Sequence, residues 1–522
     1  MRDMRFISMT AMGLAIGFGF GLGVSFDAVA QKSKDLFRMP EVRDIATSDP
    51  YVESGAPNRF LAESVHDNLI AYDEVSNKIA PLLAKSWTKI DDKTYDFEIN
   101  DTIKWQDGQK FTVDDVVYTL NWLIDPKSRL RNRELWVWMN KVEKVGPTKV
   151  RITSQNPAPY FLSKLAYETW IYPEHIHKNV DRRSDYGKSP VGTGPYKMTQ
   201  FDSNKGIMMT KNVDYKHGGA AKPLTNIGNV LVKIIPDPRT QVAGFMVGDW
   251  DLLSLDDPDQ AEALRKNPKF KGSASATLGL IFMTLDSNGV SSNKALKDPR
   301  VRRAIFMGVN REELRQLYWG GATPDFTTDN LCFRFMAGCD FTDGLIKYDP
   351  EGAKKLLAEA GYANGLDLEI STVLNTVVAE VAKGMAGQLR RIGVNVKVDE
   401  RTMLNYRKKE SDGDATIRMS IHSPRVPDVS GTTSFFFDPE GARNKYFLDD
   451  EMVTLAKQAD FTMDDAQRRG LMKQLLDRNA RDAFILPVAS TFAQTVHTDE
   501  VQVRKGGRYE IYGFYMSDLS WK

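Results

Sequence analysis

Residues 79–121 read IAPLLAKSWTKIDDKTYDFEINDTIKWQDGQKFTVDDVVYTLN, and the hydrophobic period changes within that one stretch. Tyr95, Phe97 and Ile99 alternate with polar residues, the pattern of a strand with one buried face. Asp107-Gly108 then supplies the dipeptide of a tight hairpin turn. From Thr112 the spacing becomes helical. Thr112 can cap the helix, Asp115 stands at the reciprocal capping position, and Pro126 ends it. Strand, turn and capped helix in immediate succession predict a mixed α/β fold.

The alternation continues outward. The segments VRITS (150–154) and VLVKIIPD (230–237) read as strands. Residues 297–321, KDPRVRRAIFMGVNREELRQLYWGG, read as a long helix or a broken pair, with Asp298 capping and Pro299 in the first turn. YDPEGAKKLLAEAGY (348–362) repeats that grammar and stops at Gly361. In VAKGMAGQLRRIGVNVKVDE (381–400) a helix, a glycine and an alternating strand follow one another, an α/β step. No short-period repeat interrupts the pattern, and the length suits more than one lobe.

Lys and Arg total 70 against 69 Asp and Glu, so the formal charge is +1. That balance calls for neither nucleic acid nor an anionic membrane. Arg2 and Arg5 precede an apolar run from Phe6 to Phe26, and Ala28-Val29-Ala30 places small residues before Gln31. The expectation is a signal peptide, residues 1–30, cleaved after Ala30, which exports the chain to the periplasm; an uncleaved membrane anchor is the alternative. The two cysteines, Cys332 and Cys339, are seven positions apart. In an oxidising compartment such a pair is expected to close a short disulfide loop rather than bind metal. Histidines number six, and His175 and His177 lack the companions of a metal site. Motifs of serine hydrolases, zinc proteases and phosphate-binding loops do not occur. No cofactor is called for.

In chain order, residues 79–121, SPVGTGPYKM (189–198), KDPRVRRAIFMGVNREEL (297–314), YDPEGAKKLLAEAGY (348–362) and QLRRIGVNVKV (388–398) resemble the peptide/nickel family of extracytoplasmic solute-binding proteins that serve ABC importers. The resemblance implies a type II periplasmic-binding-protein-like fold: two lobes joined by paired hinge strands, lobe I enlarged by an extra subdomain. Lobe I would take residues 31–285, with the extra subdomain at about 70–190; lobe II would take 286–486, and 487–522 would return to lobe I. GLIFMTLDSN (279–288) matches the outward crossover and FILPVASTF (484–492) the return. The implied partners are a small-molecule or peptide ligand and the permease subunits of an ABC transporter in the inner membrane. The chain would act as a monomer, with no catalysis of its own.

The resemblance also points to a loop, SPRVPDVSG at 423–431, where Pro424 and Pro427 exclude a regular helix. Peptide-binding members read Trp-x-x-Asp-Tyr-Pro-Asp-Pro here, and the first aspartate pairs with the ligand's α-amino group. In this chain His422 falls near the tryptophan, Arg425 at that aspartate and Asp428 at the second. An arginine repels an ammonium and grips an anion through two parallel hydrogen bonds, so an anionic or amine-blocked solute is expected. The alternative is that Arg425 pairs internally with Asp428 or another residue of the lobe. Thr432, with Ser430 and Thr433, would add hydroxyls, while Phe435 to Phe437 belong to the core. From lobe I the resemblance implies Ser48, Asp49, Tyr51, Arg133, Trp136 and Trp170, with Trp138 able to exchange roles with Trp136. Binding of an opine, an oligosaccharide or a metal chelate on the same scaffold stays open. So does an exported carboxylate-dependent hydrolase, which no motif supports.

Overall fold

The hairpin of the opening stretch forms as read. In the computed structural model Ala84–Lys89 pairs antiparallel with Thr94–Ile99, Trp87 opposite Phe97. Lys149–Ser154 and Met139–Lys144 complete a four-stranded sheet. Gly108 takes a φ of 92°, which the turn requires and glycine permits. The helix Val113–Ile124 begins with its capping box: Asp115 Oδ2 accepts from the Thr112 N–H at 2.8 Å. Asp115 Oδ1 accepts from the N–H of Glu174 at 2.9 Å, tying this helix to the next segment. The structure describes residues 35–522 apart from 54, 74, 77, 129, 168, 181–182, 203–204, 256, 320–329, 340–345, 375, 442–443 and 505–513. The leader expected at 1–30 lies outside the described residues.

A second four-stranded sheet places Leu36–Glu41 parallel to Asn229–Ile234, followed by Gly206–Lys211 and Tyr196–Asp202. A six-stranded sheet runs in the order Leu252–Leu255, Ile485–Thr498, Phe270–Leu285, Ile417–His422, Leu366–Val373, Val394–Arg401. Its central pair is unusually long: Phe270 faces Thr498 at one end and Thr284 faces Ile485 at the other, with a register shift between Ala276 and Leu280. On one side of that shift Leu252–Leu255 flanks the pair; on the other, Ile417–His422 does. At the break a Cβ on Gly279 would fall 1.9 Å from the Thr491 hydroxyl, so only glycine lets the strands approach here.

Helix signals resolve similarly. The 297–321 segment is a broken pair, Pro299–Met307 and Arg311–Trp319. Asp298 and Asp349 cap their helices through the N–H groups of Arg300 and Gly352, at 2.8 and 2.9 Å. The core is divided. One set of buried side chains spans Tyr51 to Tyr186. Two others draw every buried member from between Leu278 and Ala489. The GTGP segment is packing, not a phosphate loop: a Cβ on Gly192 would lie 1.8 Å from the Val65 carbonyl oxygen. Beside it the Thr193 hydroxyl donates to buried Asp67 at 2.8 Å.

Candidate functional site

The Arg425 loop leaves the end of Ile417–His422 and enters the helix Ser430–Phe436. The chain becomes helical only after Val429, once clear of both prolines. A disulfide-closed turn supports the loop. Cys332 and Cys339 are bonded, their Cα atoms 6.0 Å apart. Between them the Ala337 N–H donates to the Pro427 carbonyl at 2.9 Å, and the Ala337 carbonyl accepts from the Val429 N–H at 3.0 Å. Gly338 has a φ of 76°, and a Cβ there would stand 2.8 Å from the Val429 side chain. The turn therefore fits under the loop only with glycine at its tip. Intact mass of oxidised, alkylated protein should show no free thiol, and reduction should add two alkylation sites; thiols that label without reductant would contradict the bridge.

Asp428 fastens the loop from within. Arg468 donates to its two carboxylate oxygens at 2.8 and 2.6 Å, and the Ser430 N–H donates at 2.8 Å. The side chains are only 1% and 3% exposed. Burial opposes the charge on Asp428, but Arg468 and the Ser430 N–H outweigh it and hold the carboxyl below its usual range. The sequence places Asp428 among ligand contacts; in the structure both oxygens are engaged by Arg468. Thr432 is likewise turned inward, its hydroxyl donating to the Leu331 carbonyl at 3.2 Å. His422 is buried with its ring stacked on Phe435, centroids 4.0 Å apart. Arg425 lies half-buried on the loop.

The loop and its helix are electrically coupled to a different part of the chain. Lys164, on the helix Phe161–Tyr167, holds its ammonium 4.3 Å from the Tyr160 ring centre and 6.0 Å from that of Trp138. Burial draws the Lys164 ammonium down to about 8, against the pull of Asp460 and Asp428. Asp460, on the helix Asp450–Phe461, accepts from the Thr433 hydroxyl at 2.6 Å. Burial pushes its carboxyl up to about 7, against that hydrogen bond, Arg468 and Lys164. Burial, followed by Asp460 and Asp428, raises the Tyr160 phenol. Tyr160 and Lys164 thus lie within electrostatic reach of Asp460 and Asp428.

The remaining expected residues gather elsewhere, in the aromatic core between Tyr51 and Tyr186. Tyr51 is 1% exposed; its ring lies 5.1 Å from Trp136 and 6.0 Å from Trp170, and its hydroxyl donates to the Trp170 carbonyl at 2.8 Å. Ser48 donates to the Gly187 carbonyl at 2.5 Å. Asp49 accepts from the Tyr172 hydroxyl at 2.9 Å. Arg133 donates to the Ile124 carbonyl at 3.0 Å, and the Trp170 indole donates to Glu63 at 2.9 Å. The structure therefore does bring Tyr51, Trp136 and Trp170 together, as packed core. Trp138 separates from Trp136 and stands with Phe161, ring centroids 4.8 Å apart, beside Lys164. Tyr160, Lys164, Asp460 and Arg468 sit in segments that carry no motif, so nothing in the sequence singles them out. His175 and His177 take separate partners, Asp107 and Tyr118, each at 2.7 Å.

Residues 78–444 match the model of the bacterial extracellular solute-binding proteins, family 5 Middle. The glutathione-binding protein GsiB of Escherichia coli (strain K12) is 27% identical over 364 residues, covering 68% of this chain and 67% of that protein. Among solved structures, the ABC transporter substrate-binding protein CtaP from Listeria monocytogenes superposes with a TM-score of 0.82 at 23% identity, over 93% of this chain and 99% of that one. NikA from Brucella suis in complex with Fe(III)-EDTA gives 0.81 at 23% identity, over 93% and 100%. These structures share the fold, two lobes on paired crossing strands. The chain belongs to the family 5 bacterial extracellular solute-binding proteins.

Proposed function

We propose that this chain captures a peptide or peptide-like solute by closing its two lobes and delivers it, chemically unchanged, to the permease of an ABC importer. Export to the periplasm with cleavage after Ala30, and action as a monomer, are part of the same reading. The observation that carries it is the long strand pair Phe270–Leu285 and Ile485–Thr498, whose flanking strands differ on the two sides of its register shift. Such a pair can act as a hinge, because few residues need to change dihedral angle for the flanking bodies to rotate. The lobes are assigned to meet where the pair changes flanking partners, near Thr277–Gly279 and Thr491, slightly outside the 286–486 span expected for lobe II. Arg425 is assigned as an anion contact on the loop, with Asp428 and the disulfide turn as its supports. The glutathione-binding name of the E. coli relative favours a peptide-like solute.

Native mass spectrometry of protein purified without refolding tests this. A non-covalent adduct should be present, should leave on denaturation, and should return intact from a solute mixture. A protein that carries no adduct, binds nothing from the mixture and converts one of its components would overturn the reading.

A further inference from the structure

The long strand pair is interrupted where its flanking strands change. Ala276 faces Phe492 and Leu280 faces Ser490, so Thr277, Leu278 and Gly279 stand against Thr491 alone. One step later Ile281 faces Ala489 and Phe282 faces Pro487, which leaves Val488 as an extra residue on the other strand. Such bulges disrupt the ladder and bend the strands. Hydroxyl groups close the first gap. The Thr277 and Thr491 hydroxyl oxygens lie 2.7 Å apart, and Thr277 also donates to the Thr491 carbonyl at 3.1 Å. The Gly279 N–H donates to the Thr277 hydroxyl at 3.0 Å. Since the Thr277 hydrogen goes to the carbonyl, the Thr491 hydroxyl donates in the short contact, and Thr277 Oγ1 is fully used. Thr277 is buried, and Leu278 beside it packs into the core of the later segment. Gly279 makes room for this clasp. A Cβ there would fall 1.9 Å from Thr491 Oγ1 and 2.9 Å from Thr277 Oγ1, so a side chain at 279 has to force it open.

We propose that the Thr277–Thr491 clasp is the pivot of the hinge: it confines the two bodies to one axis of rotation and so presets the solute-free protein for closure. The proposal rests on the solute-binding reading and deepens it. A hinge that bends at bulged strands is free to twist and splay as well as to close. Hydroxyls that tie the strands at one point remove the unproductive motions and leave the rotation. Affinity depends on how much of the free protein is arranged to close, so the clasp contributes the same factor for every solute. Thr277, Gly279 and Thr491 are positioning residues, acting through the walls of the cleft and not on the solute.

The test uses the full mature chain carrying Lys89→Cys and Lys457→Cys, exposed positions on the two expected lobes, with a spin label on each. Pulsed electron paramagnetic resonance reads the spread of distances between the labels without solute. Thr277→Ser, which keeps the hydroxyl, should match the wild-type spread. Thr277→Val, which keeps the shape alone, and Gly279→Ala should broaden it. Gly279→Ala and Thr491→Ala combined should broaden it no more than either alone, because both break one clasp. Calorimetry with glutathione and with a pool of unmodified tripeptides gives a second readout. Thr277→Val should weaken whichever probes bind by one common factor, about 3–10-fold. Should neither probe bind, the label distances alone decide. An unchanged spread in Thr277→Val and Gly279→Ala, or unequal losses for the probes, overturns this inference and leaves the solute-binding reading standing. A wild-type distance that stays fixed when calorimetry shows a probe bound overturns lobe closure, and the clasp with it.

Discussion

Replacing Arg468 by leucine is expected to lower the unfolding free energy by about 3–5 kcal/mol, the usual cost of removing one partner from a buried ion pair. Arg468 donates twice to Asp428 with both side chains almost fully enclosed, so its loss leaves a buried carboxylate without a counter-charge. Denaturant titration at pH 7 measures the loss. Replacing both residues by leucine should recover much of it, since the desolvation cost then disappears from both sides. The pH dependence has a definite sign. Asp428 titrates lower in the folded protein than its ordinary 3.8. Its contribution is therefore complete above the usual carboxylate range and is lost as pH falls through the lower folded value. The gap between wild type and Arg468→Leu should narrow on acidification. A change under about 1 kcal/mol at pH 7, the scale of an exposed pair, would mean that the loop is not held by this contact.

Arg425→Ala is expected to weaken binding of the solute recovered from the purified protein by about 2–5 kcal/mol, the cost of truncating one side of a buried charged contact. Arg425→Lys should restore only part, because an ammonium keeps the charge but lacks the planar fork. Calorimetry checks the series, with unfolding midpoints measured first. Wild-type affinity in Arg425→Ala would remove Arg425 from the site and the anionic preference with it.

Local chemistry was legible in the sequence wherever the cause is local. The Thr112–Asp115 box, the Asp107-Gly108 turn and the capping aspartates at 298 and 349 each act within a few residues of themselves, and each stands where its spacing puts it. Cys332 and Cys339 also pair across a short loop. What sequence could not separate was cleft from core. Tyr51, Trp136 and Trp170 are the residue types a binding wall uses, and the types a tightly packed interior uses as well. Asp428 shows the same ambiguity for charge. A loop aspartate reads as a contact until a guanidinium forty positions later takes both of its oxygens.

Small-angle scattering on the mature protein, before and after saturation with the solute recovered from it, tests lobe closure most directly. The radius of gyration should fall on saturation, as the bodies flanking the 270–285 and 485–498 strands rotate together. An unchanged radius, with binding independently proven in the same samples, would contradict it.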